Sequence, residues 1–565
     1  MRCVVEILCI LVIGYPFVGA QEKKTGSAKK EPEARPIEVL PPGEQATTPR
    51  QPDLPKIDLP EFIIVGTSTR SMPDLDKLAM DEADPGREVL VPTLPGNRDR
   101  ETSRLATGAK ERLEDPNTRS YSGKAEASLG SYFAPRMGVW FGQALQQYQY
   151  ALESHYHRMK GFAPNTDRSG GGASAHGSTP FPGSLSSMSQ STLSGGIAFD
   201  NQFHRFYGSA SPALARTTSS AGFDVVVDNE TSPEFPFVTS LALANLAITD
   251  SSVTETESQI RFGWHSTFAL SPVDLALMGN VLFASLSGPT NEHLSFLDLS
   301  LGTPAYRWNS VLLSAFLDIY TATGMDGQSV TRVYPHVSGV FFLTYAHRLG
   351  VSYKPEVRRS SLGLRLEQHP FLSGASVIRH SDANLNLLVD LESDWAYGVR
   401  SKFSVGLQSV SDYPLYADTL SRGIWSLAYS GRTSIVRFDA EMFANLNVND
   451  YFSTTITVNS SSNSTTGGSV PYIPGAELNV RYRHGFGNGF SVEPSLLFVH
   501  ERQTSVTGTQ SLPGFILLGV RGSYQPVEFL RVILEVQNLT DQVYKLWEGY
   551  QELPFSVSAG VNIQW

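Results

Sequence analysis

From about residue 121 to the end, apolar and polar positions alternate along short segments separated by Gly, Pro, Asn and Ser. The clearest is Pro554–Trp565. Phe555, Val557, Ala559, Val561, Ile563 and Trp565 fall on one face, and Ser556, Ser558, Gly560, Asn562 and Gln564 on the other. A period of two is that of a strand with one apolar and one polar side. Ile516, Leu518, Val520 and Tyr524 repeat it against Gly519, Arg521 and Ser523, as do Leu478, Val480 and Tyr482 against Asn479, Arg481 and Arg483. Leu241–Ile248, Asp274–Phe283 and Ser310–Leu317 read as further strands.

A soluble sandwich would also alternate. Three features favour a membrane barrel. The segments run to about 9–15 residues, the length of an oblique bilayer crossing. Aromatic residues recur toward segment ends, as at Phe133, Trp140, Tyr148, Tyr150, Tyr156 and Trp395, where interfacial girdles belong. Only a closed barrel satisfies every backbone group of a β-structure in lipid. The expected fold is therefore all-β, a large closed antiparallel transmembrane barrel of about 18–22 strands over 121–565. Tight connections are expected at Ala134-Pro135, Ser271-Pro272, Asn447–Asn449, Gly487-Asn488 and Pro526. Long external loops are expected at 160–188, 212–234, 460–472, 504–512 and 540–553, with a Gly170-Gly171-Gly172 hinge in the first. The strand count is ambiguous at Asp412–Arg432.

The first 120 residues read differently. Residues 1–20 carry Arg2, an apolar run and Val18-Gly19-Ala20, the pattern of a signal peptide cleaved after Ala20. Both cysteines of the chain, Cys3 and Cys9, lie inside it, which excludes disulfides and thiolate metal sites from the mature chain. Residues 21–120 hold 13 of the 34 prolines and one aromatic, Phe62. Such a segment buries too little apolar surface to offset its ordering entropy, so it reads as a disordered Pro-rich periplasmic tether. One island, 57–67, contains a short apolar strand, Phe62, Ile63, Ile64 and Val65. It reads either as a patch docking on a neighbour or as a strand that adds to a periplasmic partner. Charged residues make up 18% and the net charge is −11, which argues against nucleic-acid binding.

Chemistry-bearing groups are few. Glu153, His155 and His157 share one strand face and read as a divalent-metal site or as a polar rim near a loop base. Arg481, Arg483, Arg502, Arg521 and Arg531 come from successive C-terminal segments. They would line a lumen as a basic ladder, or as a mixed network with Glu493, Glu501 and Glu535. No nucleophile elbow, phosphate loop or dinucleotide fingerprint is present, so neither an enzyme nor a cofactor is expected.

Tyr472-Ile-Pro-Gly-Ala-Glu-Leu-Asn479 resembles the proline-led strand entry of TonB-dependent receptors. Val536-Gln-Asn-Leu-Thr-Asp541, followed by Tyr544, is similar to the end of their penultimate strand. Trp565 resembles the terminal aromatic read by the barrel-assembly machinery, with Phe555, Val561 and Ile563 on the same face. Glu61–Thr67 resembles the receptors' energy-coupling box. The resemblance implies an outer-membrane barrel of a Gram-negative-type bacterium, in contact with lipid and with a periplasmic energy-coupling or structural protein. Only 57–118 are available for a plug, so it implies a relative without a recognisable plug domain and argues against energised siderophore or vitamin uptake. Two functions follow: a channel or transporter for a small solute, or a structural barrel whose tether docks a periplasmic protein.

Overall fold

The computed structural model describes residues 123–565 apart from 145–147, 182–190, 231, 233–234, 251–252, 271–272, 289–290, 396–397, 419–421, 430, 448, 506–507 and 509. The expected leader, the tether and Phe62–Val65 lie outside the described residues.

The chain forms one closed antiparallel barrel of 22 strands. The first eleven are β1 (Gly123–Gly130), β2 (Ala134–Ala144), β3 (Gln149–Met159), β4 (Arg168–Pro180), β5 (Thr192–Arg205), β6 (Ala215–Asp228), β7 (Phe237–Asp250), β8 (Val253–Leu270), β9 (Val273–Ser287), β10 (Glu292–Trp308) and β11 (Val311–Thr323). They continue as β12 (Ser329–Phe342), β13 (His347–Tyr353, resumed at Glu356–Arg358), β14 (Ser381–Trp395), β15 (Val399–Ser411), β16 (Arg432–Asn445) and β17 (Asp450–Asn463). The last five are β18 (Ala476–Gly485), β19 (Phe490–Val499), β20 (Phe515–Val527), β21 (Leu530–Gln537) and β22 (Ser556–Gln564). Each strand pairs with its sequence neighbours, and β22 closes on β1.

The alternation sets the register. At the seam, Val561 stands opposite Ala127 and Val532, while Asn562 stands opposite Glu126 and Arg531. A slip of one residue would turn every polar side chain into lipid, so the apolar exterior fixes one pairing. Leu241, Leu243, Ile260, Phe262, Val532 and Leu534 are exposed on the outer face, as lipid contact requires. Trp565 exchanges both backbone hydrogen bonds with Gly123 at 3.0 Å. Its indole lies where a side chain on Gly123 would stand.

The two ends differ. Gly123 and Trp565 mark the turn end, whose connections include 309–310, 343–346, 446–449, 486–489 and 528–529. Trp308, Tyr345, Trp395, Phe486 and Phe529 are exposed there. The opposite, loop end carries 359–380, 412–431, 464–475, 500–514 and 538–555. Several expectations need correction. The span 160–188 is not one loop: β4 runs through it and separates a loop-end connection from one at the turn end. Its glycines are strand positions, not a hinge. A Cβ on Gly170 would meet the His157 ring at 2.5 Å, and one on Gly172 would meet the His155 ring at 2.9 Å. A lumen-facing strand tolerates Gly and Ser, which in composition look like a loop. Likewise β6 occupies most of 212–234. The tight turn before Ala134-Pro135 sits at the loop end, one strand away from Gly123. Trp140 stands opposite Glu153 on the lumen face, not in an outer girdle. Among the described residues, 412–431 hold no barrel strand but a short hairpin, Leu415–Ala417 against Ser426–Ala428.

Candidate functional site: the capped mouth of the barrel

The loop-end segments fold together into a cap. Phe206, Leu362, Phe371, Trp425, Tyr472 and Trp547 come from five different loops and are buried in one apolar cluster, against wall residues such as Phe296 and Phe515. His369 stacks on Trp547 with ring centroids 3.5 Å apart, and Phe371 stacks on Tyr550 at 3.6 Å. Polar contacts tie loop to loop. Trp425 Nε1 donates to Tyr472 Oη at 3.1 Å, Tyr550 Oη to Gly423 O at 2.7 Å, and Tyr207 Oη to Gln551 O at 2.8 Å. Stacked aromatics bury large areas with few torsions to freeze, which suits a core built from loops.

One loop, 359–380, reaches across the mouth. It is rooted between β13 and β14, yet it is held by the wall at β6 and β8. It carries the helix α1 (Leu362–Gln368), N-capped by Ser361, whose Oγ accepts from Leu364 N. Glu257, on β8 and 1% exposed, accepts from Leu362 N and Gly363 N at 3.0 Å each. Arg216, on β6 and equally buried, donates Nη1 to Pro370 O at 3.0 Å and to Leu372 O at 2.6 Å. Its Nε is paired with Asp250 Oδ1 at 2.6 Å, and the guanidinium lies over the Phe206 ring. A carboxylate on the free amides that open the helix satisfies groups the helix leaves unpaired, and the guanidinium satisfies carbonyls of the segment that follows it. Together they latch the helix at its start and just past its end.

The cap holds its ionisable groups out of water. Burial drives His369 far below the usual histidine range and His380 down to about 4. Burial also pushes the Glu552 carboxyl up to about 7, against the pull of Arg168 and Arg502, and lowers Arg502 to about 10. His369 Nε2, Trp547 Nε1 and Arg502 Nε have no hydrogen-bond partner among the described residues.

Beneath α1 lies a cavity of about 480 Å³. Two adjacent inward rows of β3–β8 form its wall. In one, Glu153, Ser174, Ala198, Gly222, Ala244 and Gln259 stand opposite one another in turn. In the next, His155, Gly172, Asp200, Ser220, Leu246 and Glu257 do the same. Gly363 and Leu364 roof it. His155 Nε2 lies 3.0 Å from Asp200 Oδ2.

The structure places Glu153, His155 and His157 on one face of β3. Same-face strand neighbours stand about 7 Å apart, and among the described residues no three His, Cys, Asp or Glu side chains converge. Arg481, Arg483, Arg521, Arg531 and Glu535 share the inward face. Arg521 stands between Glu493 and Glu535, and Arg531 stands opposite Asn562, so acids interrupt the row of bases. Arg502 is not on the wall at all; it is 1% exposed within the cap and donates to the carbonyls of Lys545 and Leu546. Phe555, Val561, Ile563 and Trp565 are exposed on the outer face at the closing seam. Sequence reasoning missed α1, Arg216, Asp200 and Glu257. Ser361 before a Leu-rich run was a capping signal, but it sat in a chain read as strands throughout.

A closed 22-strand barrel with an apolar exterior defines an outer-membrane β-barrel of the Gram-negative type. Its fold is that of the TonB-dependent receptor barrels. The FrpB iron transporter from Neisseria meningitidis (F3-3 variant) superposes with a TM-score of 0.65 at 11% identity, over 81% of this chain and 83% of its own. The ferric-catecholate import receptor Fiu from E. coli K12 gives 0.59 at 11% identity over 79% and 82%, and the siderophore receptor PiuA from Acinetobacter baumannii gives 0.62 at 9% over 78% and 81%. Neither a family model nor a curated protein matches the sequence.

Proposed function

We propose that the barrel is a transporter or channel for a small solute, that it works without a receptor-type plug domain, and that the loop cap is its closure. A lumen of 22 strands is too wide for wall side chains to fill, so a barrel of this size needs an internal closure. The observation that carries the reading is the loop 359–380, seated across the mouth by Glu257 and Arg216. The loop end faces outward and the turn end faces the periplasm, in keeping with the lengths of their connections.

The test is swelling of proteoliposomes in isosmotic sugars. The intact protein should swell them slowly. A variant with Ser361–Leu372 replaced by a short Gly-Ser linker should swell them at rates typical of an open pore. Equally slow swelling of both would turn the reading toward a structural or partner-binding barrel. The tether belongs to either reading: Phe62, Ile63, Ile64 and Val65 would add as a strand to a periplasmic energy-coupling or structural protein. Capture of that protein by segment 21–120, and its loss on Ile63→Asp, is the measurement for that part.

A further inference from the structure

The cavity under α1 is long rather than round. From Glu153 on β3 to Gln259 on β8 there are five strand spacings of about 4.8 Å, or about 24 Å. A volume of about 480 Å³ spread over such a length is a slot. Its floor is low because the middle positions of the first row are Ser174, Ala198, Gly222 and Ala244. Carboxylates stand at both ends and between them: Glu153, Asp200 and Glu257. Among the described residues, no Lys or Arg lines it. Glu153 makes no hydrogen bond or ion pair among the described residues, Asp200 is shared with His155, and Glu257 is already occupied by the amides of α1. Ser174, Ser220 and Gln259 add neutral hydrogen-bonding groups, while Leu246 and Leu364 add apolar surface.

A compact metal ion does not suit this arrangement, because its donors are spread along the slot instead of converging. An anion would meet the Glu153 and Asp200 carboxylates and, among the described residues, no Lys or Arg. A chain with apolar methylenes and separated ammonium groups would meet apolar surface along its length and the carboxylates of Glu153 and Asp200 at its charges. We propose that this slot is a binding site for a linear organic cation, which rests on the transporter reading in that it names the solute class.

The experiment is titration calorimetry of the full chain in mild detergent, with spermine as the cationic probe, glucose as the neutral one and citrate as the anionic one. Spermine should bind, and glucose and citrate should not. Glu153→Gln with Asp200→Asn should weaken spermine binding by about tenfold or more. Glu441→Gln, on the far wall at β16, should leave it unchanged. Folding of each variant is read from heat-modifiable migration. Glu153→Gln alone serves if the double variant does not fold, with a weakening of several-fold. No spermine binding, binding of citrate or glucose as tight as that of spermine, or unchanged affinity in a folded Glu153 variant would overturn the proposal. Calorimetry in detergent requires no transport. A protein that binds spermine but passes no solute overturns the transport reading alone, and one that passes sugars without binding spermine overturns only this assignment.

Discussion

The wall and the cap of this barrel are built by different rules. In the wall, each strand bonds only to its two neighbours, and one period of two repeated 22 times specifies the whole. In the cap, contacts are long in sequence: Arg216 reaches Leu372, Tyr207 reaches Gln551, and His369 stacks on Trp547. The wall is held by a closed ladder in lipid, where an unpaired backbone group is intolerable. The cap is held by aromatic packing and two buried wall charges, and some of its buried polar atoms have no partner among the described residues. Damage to the wall should therefore abolish the protein, while damage to the cap should leave a barrel with a different mouth.

The largest effect is expected from the seam. Removing Val561–Trp565 deletes half of β22 and the exchange between Trp565 and Gly123. Two strand edges are then exposed to lipid. The expected outcome is loss of membrane insertion and degradation in the periplasm, read by fractionation and heat-modifiable migration. Normal accumulation of the truncated protein would remove the seam from the account.

Next in size is the latch. Arg216→Ala leaves the carbonyls of Pro370 and Leu372 and the Asp250 carboxylate without their donor, at a cost of about 3–5 kcal/mol. Glu257→Ala orphans two helix amides, at about 2–4 kcal/mol. Both should release the cap, seen as rapid proteolysis within 359–380, while the barrel keeps its heat-modifiable migration. Loss of the barrel together with the cap would erase the distinction between the two regions.

The smallest effect is that of pH. Undocked, His380 takes up its proton near pH 6.5; docked, only near 4, and burial holds His369 well below 6.5 as well. Between those values the undocked state binds more protons, so docking weakens as pH falls from about 6.5 toward 4. Glu552 acts oppositely. Raised to about 7 from the usual carboxyl range, it favours docking below that range and loses this contribution as pH rises through 7. The two histidines outweigh the one carboxyl, so acrylamide quenching of the buried Trp425 and Trp547 should increase on acidification. Glu552→Gln should make the increase steeper.

The same contrast explains what was legible beforehand. The alternation of Phe555 to Trp565 is a local signal, so strand type, barrel closure and lipid face could be read from it. Glu153 and His155 could be placed on a common face for the same reason. Asp200 and Glu257 could not be joined to them, because that needs the pairing of six strands. Arg502 was assigned to the wall from its spacing among other arginines. A pattern of charges cannot tell a strand from a loop that folds back inside. The Gly170–Gly172 run misled for the opposite reason: its glycines make room for imidazoles from the next strand, a constraint invisible in a single segment.

The proposed closure of this barrel is the cap, not residues 21–120. Single-channel recording in planar bilayers tests it with three proteins: the full mature chain, the chain lacking 21–120, and the chain with Ser361–Leu372 replaced by a short linker. No sustained conductance is expected from the first two proteins, and large, stable openings from the third. Openings on removal of 21–120, with none on replacement of the loop, would contradict this closure.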